Sequence, residues 1–218
     1  FETTRQLRPD SVTQICPCGT PLTFSLIPFT DQTVTADPTS SHQIRQRIKF
    51  YKALMGPSVA VFADHVELSD GGRDFASEIG AGGVPSTKFI WPDDAKVRAR
   101  LKEVWDLPEE KKAEWQKWFR IYNDQRPAEG AYLNLYDLGF DAPETHVIRK
   151  GPALYYAFYA PGLEASFSGQ IELRGLEKSK TYQVWDYVNE QEIARVTGEN
   201  SFIQVEFEGA LLVKVAEV

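Results

Sequence analysis

The chain has 218 residues, of which 42% are hydrophobic and 25% charged, a composition typical of a globular protein with one large or two small domains. Its formal net charge of −7 argues against nucleic acid or an anionic membrane as the main partner, and no apolar run is long enough to span a bilayer. The chain begins with Phe1 and its only methionine is Met55, so we expect a fragment or a processed form of a longer protein.

Two short β-prone runs near the N-terminus each end in an unusual loop. Val12–Ile15 leads into the run Cys-Pro-Cys-Gly, and Thr33–Ala36 leads into Asp37 and a proline. In a barrel of parallel strands, the chemistry is found where the C-terminal ends of strands run into loops. Asp37 is therefore a candidate catalytic residue, although an aspartate at this place could also be a plain helix N-cap.

An amphipathic helix is predicted at His42–Leu54. Ile44, Ile48 and Tyr51 recur at helical spacing and form its apolar face. Ser40 and Ser41 are further candidates for its N-cap. The polar turns of the helix are expected from four basic residues, Arg45, Arg47, Lys49 and Lys52.

A third apolar run, Val59–Phe62, follows the helix and is of the parallel-strand type. It ends in polar residues that include Asp64 and His65, which repeats the arrangement at Asp37. These two residues could contact a ligand or form a salt-linked pair that only orders the loop. A metal site that also uses Glu67 and Asp70 is a weaker alternative.

The next segments are predicted to be a strand and two helices. Thr87–Trp91 is the predicted strand, and the glycine-rich run before it lacks the flanking strand and helix of a dinucleotide-binding fingerprint. The first helix is marked by Val97, Leu101 and Val104, and the second begins near Glu109. One face of the second helix carries an aromatic stripe that is predicted to be core, namely Trp115, Trp118, Phe119 and Tyr122.

From Ala131 onward the pattern changes to short β-runs separated by turn residues. Such even spacing predicts an antiparallel β-sandwich over residues 129–218, preceded by an α/β domain over residues 1–128. The predicted strands are Tyr132–Tyr136, His146–Arg149, Leu154–Tyr159, Gln170–Leu173, Thr181–Tyr187, Glu192–Val196, Phe202–Phe207 and Leu211–Val215.

The run from Gln14 to Pro92 resembles the C-terminal half of the catalytic barrel in melibiase-type α-galactosidases, glycoside hydrolase family 36. In that family a strand ends in a loop with Cys and Gly that touches the sugar. The next strand ends in Ser-Asp-Asn or Ser-Asp-Pro, whose Asp is the general acid/base. Here the corresponding letters are Ile15–Gly19 and Thr35–Pro38, with Ala36 in place of the serine.

The resemblance implies a retaining glycoside hydrolase that cleaves terminal α-linked galactose from oligosaccharides or glycoconjugates, without a metal or another cofactor. It implies that Asp37 is the acid/base. The residues that it implies for substrate binding are Cys16, Cys18, Gly19, Asp64 and His65.

The resemblance also implies that the catalytic nucleophile lies on an earlier barrel strand. We therefore expect the chain to be the last part of a (β/α)8 TIM barrel followed by an antiparallel β-sandwich. Alone it should be inactive, and it should need the N-terminal part of the barrel or self-association to be ordered. The alternatives are a non-catalytic carbohydrate-binding or structural unit, an α-N-acetylgalactosaminidase, and a metal-dependent hydrolase that uses the cluster at Asp64–Glu67.

Overall fold

The computed structural model describes residues 1–16, 23–35, 40–64, 66, 72–87, 107–161 and 165–218. The chain divides into two compact units, Phe1–Glu129 and Gly130–Val218. We call the first the α/β unit and the second the β unit. None of the described helices is long and apolar enough to cross a membrane.

In the described part of the α/β unit, three short parallel strands form a sheet in the order β1-β2-β3. Ile15 lies opposite Thr33, and Thr33 lies opposite Val61. The predicted parallel pairing of the second and third strands is therefore confirmed, and helix α2 connects them as a crossover. The bounds are β1 (Gln14–Ile15), β2 (Gln32–Val34), α2 (Ser41–Met55) and β3 (Ala60–Phe62).

Helix α2 packs its apolar face on the sheet. Ile44 and Ile48 are fully buried in one hydrophobic cluster with Val61. The helix begins after Ser40, whose hydroxyl accepts a hydrogen bond from the backbone N–H of Gln43 at 3.2 Å. This is the side-chain cap that a serine supplies to an otherwise unsatisfied N–H group, so the predicted helix and one of its two predicted serine caps are confirmed.

The expected polar turns of α2 are wrong for two of the four basic residues, because Arg45 and Lys52 are buried. Arg45 Nη1 donates to Ser77 Oγ at 2.8 Å, and Lys52 Nζ donates to the carbonyl of Ala128 at 2.6 Å. Burial lowers the pKa of Lys52 from 10.5 to about 8. Long basic side chains can reach distant acceptors across the helix surface, which a helical periodicity does not reveal.

Helix α1 (Glu2–Leu7) precedes the sheet, and α3 (Phe75–Gly80) and α4 (Glu109–Gln125) follow it. The chain also forms 3-10 helices at Phe24–Phe29 and Pro127–Glu129.

The aromatic stripe of α4 is core, as predicted. Trp115 is buried against Phe75 with their ring centroids 5.8 Å apart, and Trp118, Phe119 and Tyr122 pack on the same cluster. The predicted strand Thr87–Trp91, apart from Thr87 itself, and the predicted helix at Val97–Val104 lie outside the described residues.

The described residues of the β unit form eight strands in two antiparallel sheets, of order β4-β5-β6-β11-β8-β9 and β10-β7. Both sheets contribute to one hydrophobic cluster, for example Phe158 and Val213 from the first and Ile203 from the second. Each of the eight predicted runs overlaps a strand. The bounds are β4 (Ala131–Leu133), β5 (Glu144–Lys150), β6 (Ala153–Tyr159), β7 (Ser166–Glu172), β8 (Thr181–Asp186), β9 (Gln191–Thr197), β10 (Phe202–Glu208) and β11 (Ala210–Glu217).

An arginine clamp joins separate loops of the β unit. Arg174 donates two hydrogen bonds to the carboxylate of Asp141, each at 2.9 Å, and its guanidinium lies 4.7 Å from the ring centroid of Tyr136. The Arg174 guanidinium holds the pKa of Asp141 below its usual range. Planar bidentate pairing and ring stacking both require arginine rather than lysine.

Candidate active site at the strand ends

The C-terminal ends of β1, β2 and β3 lie side by side because the three strands are parallel and in register. Cys16 directly follows β1, and Asp64 follows β3 by two residues. Neighbouring strands are about 4.8 Å apart, so the ends of β1 and β3 lie roughly 10 Å from each other. Strand β2 lies between β1 and β3, and Asp37 follows β2 in the sequence.

Asp64 has a left-handed backbone with φ of +68° and is only 8% exposed. This conformation is uncommon for a residue with a side chain and persists where neighbouring contacts hold it. On either side of Asp64, the N–H of Ala63 donates to the carbonyl of Val84 at 3.0 Å and that of Val66 donates to Ser86 at 2.9 Å. These two hydrogen bonds fix the turn that presents Asp64 at the end of β3.

A buried carboxylate bonds the segment at Ser86, whose carbonyl accepts the hydrogen bond from Val66. Glu78 is fully buried, and its Oε2 accepts a hydrogen bond from the N–H of Ser86 at 3.3 Å. Glu78 lies on the short helix α3, and Asp74 caps that helix by accepting a hydrogen bond at its Oδ1 from the N–H of Ser77 at 3.0 Å. Burial raises the pKa of Asp74, which the nearby Arg45 opposes. Sequence reasoning missed this network, although aspartate is one of the preferred N-cap residues.

The end of β2 is anchored on both sides of the sheet and by α2. Thr33 Oγ1 donates to the carbonyl of Ile15 at 3.2 Å, and the N–H of Thr35 donates to the carbonyl of Phe62 at 3.0 Å. Arg47 Nη1 donates to the carbonyl of Thr35 at 3.3 Å. Thr35 on one side and Ser40 on the other are thus the fixed ends of the segment that contains Asp37.

The structure describes two of the six predicted site residues. Cys16 is exposed and carries a free thiol, and Asp64 is buried just after the end of β3. The other four, Asp37, Cys18, Gly19 and His65, lie outside the described residues.

The sequence left two alternatives open, a helix-cap role for Asp37 and a metal site near Asp64, and the described residues bear on both. The N-cap of α2 is Ser40, so the helix-cap role that the sequence left open for Asp37 is filled by another residue. Among the described residues, no group of three or more His, Cys, Asp or Glu side chains could hold a metal ion. Glu67 and Asp70, which the metal alternative needs, are outside that set.

No protein-family model matches the chain. One known protein with a similar sequence is the "A type blood alpha-D-galactosamine galactosaminidase" of Flavonifractor plautii. It is 37% identical over 214 residues, which cover 96% of this chain and 18% of that protein. The chain therefore spans less than a fifth of the length of this relative.

Several solved structures share the fold at low sequence identity. A noncanonic maltogenic α-amylase from Thermotoga neapolitana matches 99% of this chain and 57% of its own with a TM-score of 0.61 and 11% identity. A putative α-galactosidase from Bacteroides fragilis matches 94% of this chain and 47% of its own with a TM-score of 0.56 and 9% identity. The chain has a fold found in glycoside hydrolases. Identities this low say nothing about the substrate.

Proposed function

We propose that this chain is part of a retaining glycoside hydrolase that removes a terminal α-linked galactosyl sugar, and that it supplies the general acid/base of that enzyme. The observation that carries the proposal is the 37% identity to a galactosaminidase over 214 residues, nearly the whole chain. The fold found in glycoside hydrolases supports it. In this reading the α/β unit is the last part of a TIM barrel and the β unit is a β-sandwich that follows it.

Asp37 is the proposed acid/base. It follows the central strand of the three, between the strand that ends at Cys16 and the strand that ends at Asp64. Because Ser40 caps α2, helix capping does not account for an aspartate at this position. A retaining mechanism needs a second carboxylate about 5–5.5 Å from the first. We propose that this nucleophile lies on an earlier barrel strand, in a part of the longer protein that is N-terminal to this chain.

The proposed chemistry requires one group in two protonation states. In the first step Asp37 gives a proton to the departing glycosidic oxygen while the nucleophile attacks the anomeric carbon. In the second step the ionised Asp37 takes a proton from the water that releases the sugar. A second carboxylate nearby disfavours ionisation of Asp37 in the free enzyme, and the loss of that charge in the glycosyl-enzyme favours it.

The proposed substrate is an α-linked galactosamine, which is the sugar in the name of the Flavonifractor plautii relative. Galactose itself and N-acetylgalactosamine are the alternatives within the same class. Asp64 is the described residue that we propose binds the sugar, since it lies just after the end of β3 and its backbone is held in place. Cys16 and Gly19 are proposed to contact sugar hydroxyls, and Cys18 and His65 to complete the pocket.

The experiment is an Asp37→Ala substitution in the longest natural protein that carries this chain. With a natural disaccharide we expect kcat/KM to fall about 10²–10⁴-fold. With an aryl α-galactosaminide the first step should survive better, because a phenol leaves without protonation. The glycosyl-enzyme should then accumulate, and added azide should restore turnover and give the α-configured glycosyl azide.

Asp124→Ala is the matched control, because Asp124 is an exposed aspartate on α4. It should leave all of these rates unchanged. Unchanged kinetics in the Asp37→Ala protein would reject the proposed role. Comparison of aryl glycosides of galactosamine, galactose and N-acetylgalactosamine decides between the three sugars.

A further inference from the structure

The β unit contains a cleft of about 380 Å³, and all of the described residues that line it belong to that unit. This volume is at the lower end of the range for small-molecule sites, which is about 300–1,000 Å³. The described lining residues lie on β10, the start of β11, β9, and the end of β8 with the turn that follows it. We propose that it is a second carbohydrate-binding site and that it selects a sugar with a free amino group.

The first argument is the open edge of β10. This strand pairs with β7 on one side, and among the described strands no other strand pairs with it. Five successive residues, 204–208, line the cleft, whereas no residue of β7 does. The cleft therefore lies along the free edge, where every second residue of an antiparallel strand directs its backbone N–H and C=O away from its partner. Backbone groups arranged in this way can bind sugar hydroxyls.

The second argument is the combination of polar and apolar side chains. Gln191 and Gln204 offer amide groups to the cleft, and neither side chain has a hydrogen-bond partner among the described residues. Ile193 and Phe207 contribute apolar surface, and both pack on the hydrophobic core of the β unit. A pyranose suits this combination, because its hydroxyls can bond the amides and its ring C–H groups can contact the apolar surface.

The third argument is charge, which selects among sugars. Asp186, Glu206 and Glu208 line the cleft, and none of the lining residues that the structure describes is basic. Asp186 is occupied, because its carboxylate accepts two backbone N–H groups and the Asn189 amide. Within the described part of the chain, the side chains of Glu206 and Glu208 form no hydrogen bond or ion pair. An ammonium group complements these two carboxylates, whereas an acidic sugar would be repelled.

The test is an NMR titration, with methyl α-D-galactosaminide, of the longest natural protein that carries this chain, with the chain segmentally labelled with 15N. We expect millimolar binding and chemical-shift changes at residues 189–193 and 204–208. Glu206→Gln/Glu208→Gln should weaken this binding about tenfold, which is modest because both carboxylates are exposed to solvent. Glu199→Gln, an exposed glutamate outside the cleft lining, should have no effect. Methyl α-D-galactoside and the N-acetylated sugar should bind about as weakly to the unmodified chain as the amino sugar does to the double variant.

The proposal is overturned by an absence of shifts at the cleft, by equal affinity for the three sugars, or by an unchanged affinity in the double variant. It is also overturned if an extended peptide, but no sugar, perturbs the free edge of β10, since that would assign the edge to strand addition. The inference rests on the proposed function only for the choice of galactose stereochemistry. Binding at the cleft together with unchanged kinetics of Asp37→Ala would remove the proposed function and leave this site in place.

Discussion

Replacement of Lys52 by methionine should change how the stability of the α/β unit depends on pH. Lys52 is 1% exposed, its ammonium group donates to the carbonyl of Ala128, and its pKa falls to about 8 because burial disfavours the charged form. No carboxylate among the described residues pairs with it. An unpaired buried charge is costly, and a side chain of similar length without the charge avoids that cost.

The sign and size follow from the two pKa values. Between pH 8 and pH 10.5 the unfolded chain holds the Lys52 proton and the folded chain has released it, so stability rises with pH in this window. The full difference is about 3 kcal/mol, and about 2.5 kcal/mol of it is gained by pH 10. Below pH 8 both states are protonated and this gain is absent.

The assay is urea unfolding at pH 7 and pH 10, followed by tryptophan fluorescence. A Trp185→Phe background confines the signal to the α/β unit, which holds the other four tryptophans. Other titrating groups cancel when Lys52→Met is compared with its parent. From pH 7 to pH 10 the parent should gain about 2.5 kcal/mol of unfolding free energy over the variant. Lys49→Met, on the same helix but partly exposed, is the control and should show no such change. Equal differences between Lys52→Met and its parent at both pH values would refute the reasoning.

Two further substitutions test other parts of the structure. Asp64→Gly should relieve the strain of the left-handed backbone and raise the free energy of unfolding in urea by about 1 kcal/mol. Asp64→Asn, the control, should change it by less than about 0.5 kcal/mol. An Asp64→Gly protein less stable than the parent would contradict the strain. Arg174→Lys should destabilise the β unit by about 1 kcal/mol because lysine cannot bond Asp141 in a bidentate manner or stack on Tyr136. Arg195→Lys, at an exposed pair, should cost less than about 0.5 kcal/mol in the same thermal or urea measurement, and equal losses would argue against a special role of the clamp.

Much of the fold could be predicted because its signals are local. The spacing of Ile44 and Ile48 predicts α2, and the alternation within Phe202–Phe207 predicts β10. What could not be predicted depends on distant partners. The acceptor of Lys52 is 76 residues away, and the backbone of Asp64 is fixed by a segment that follows it by some twenty residues. No periodicity records such contacts.

The candidate site divides in the same way. The position of Asp37 after a strand predicts a residue at the C-terminal end of that strand, whereas its proposed role as acid/base comes only from the resemblance to a family. From the sequence, Ser40 is one of three candidates for the N-cap of α2, beside Asp37 and Ser41, and only the structure identifies it. The cleft of the β unit gave no sequence signal at all, since its residues belong to ordinary alternating strands and a turn.

The lengths of the strands have a consequence for local opening of the backbone. In the α/β unit β1 has two residues and β2 and β3 have three each, whereas β6 and β11 have seven and eight and are paired on both sides. An amide of β6 or β11 can exchange its hydrogen with solvent only when a large part of a six-stranded sheet separates, whereas an amide of β1 needs only a few bonds to break. Deuterium should therefore enter the strand ends beside Cys16 long before it enters β6 and β11. The proposed chemistry would then rest on the part of the backbone that opens most readily.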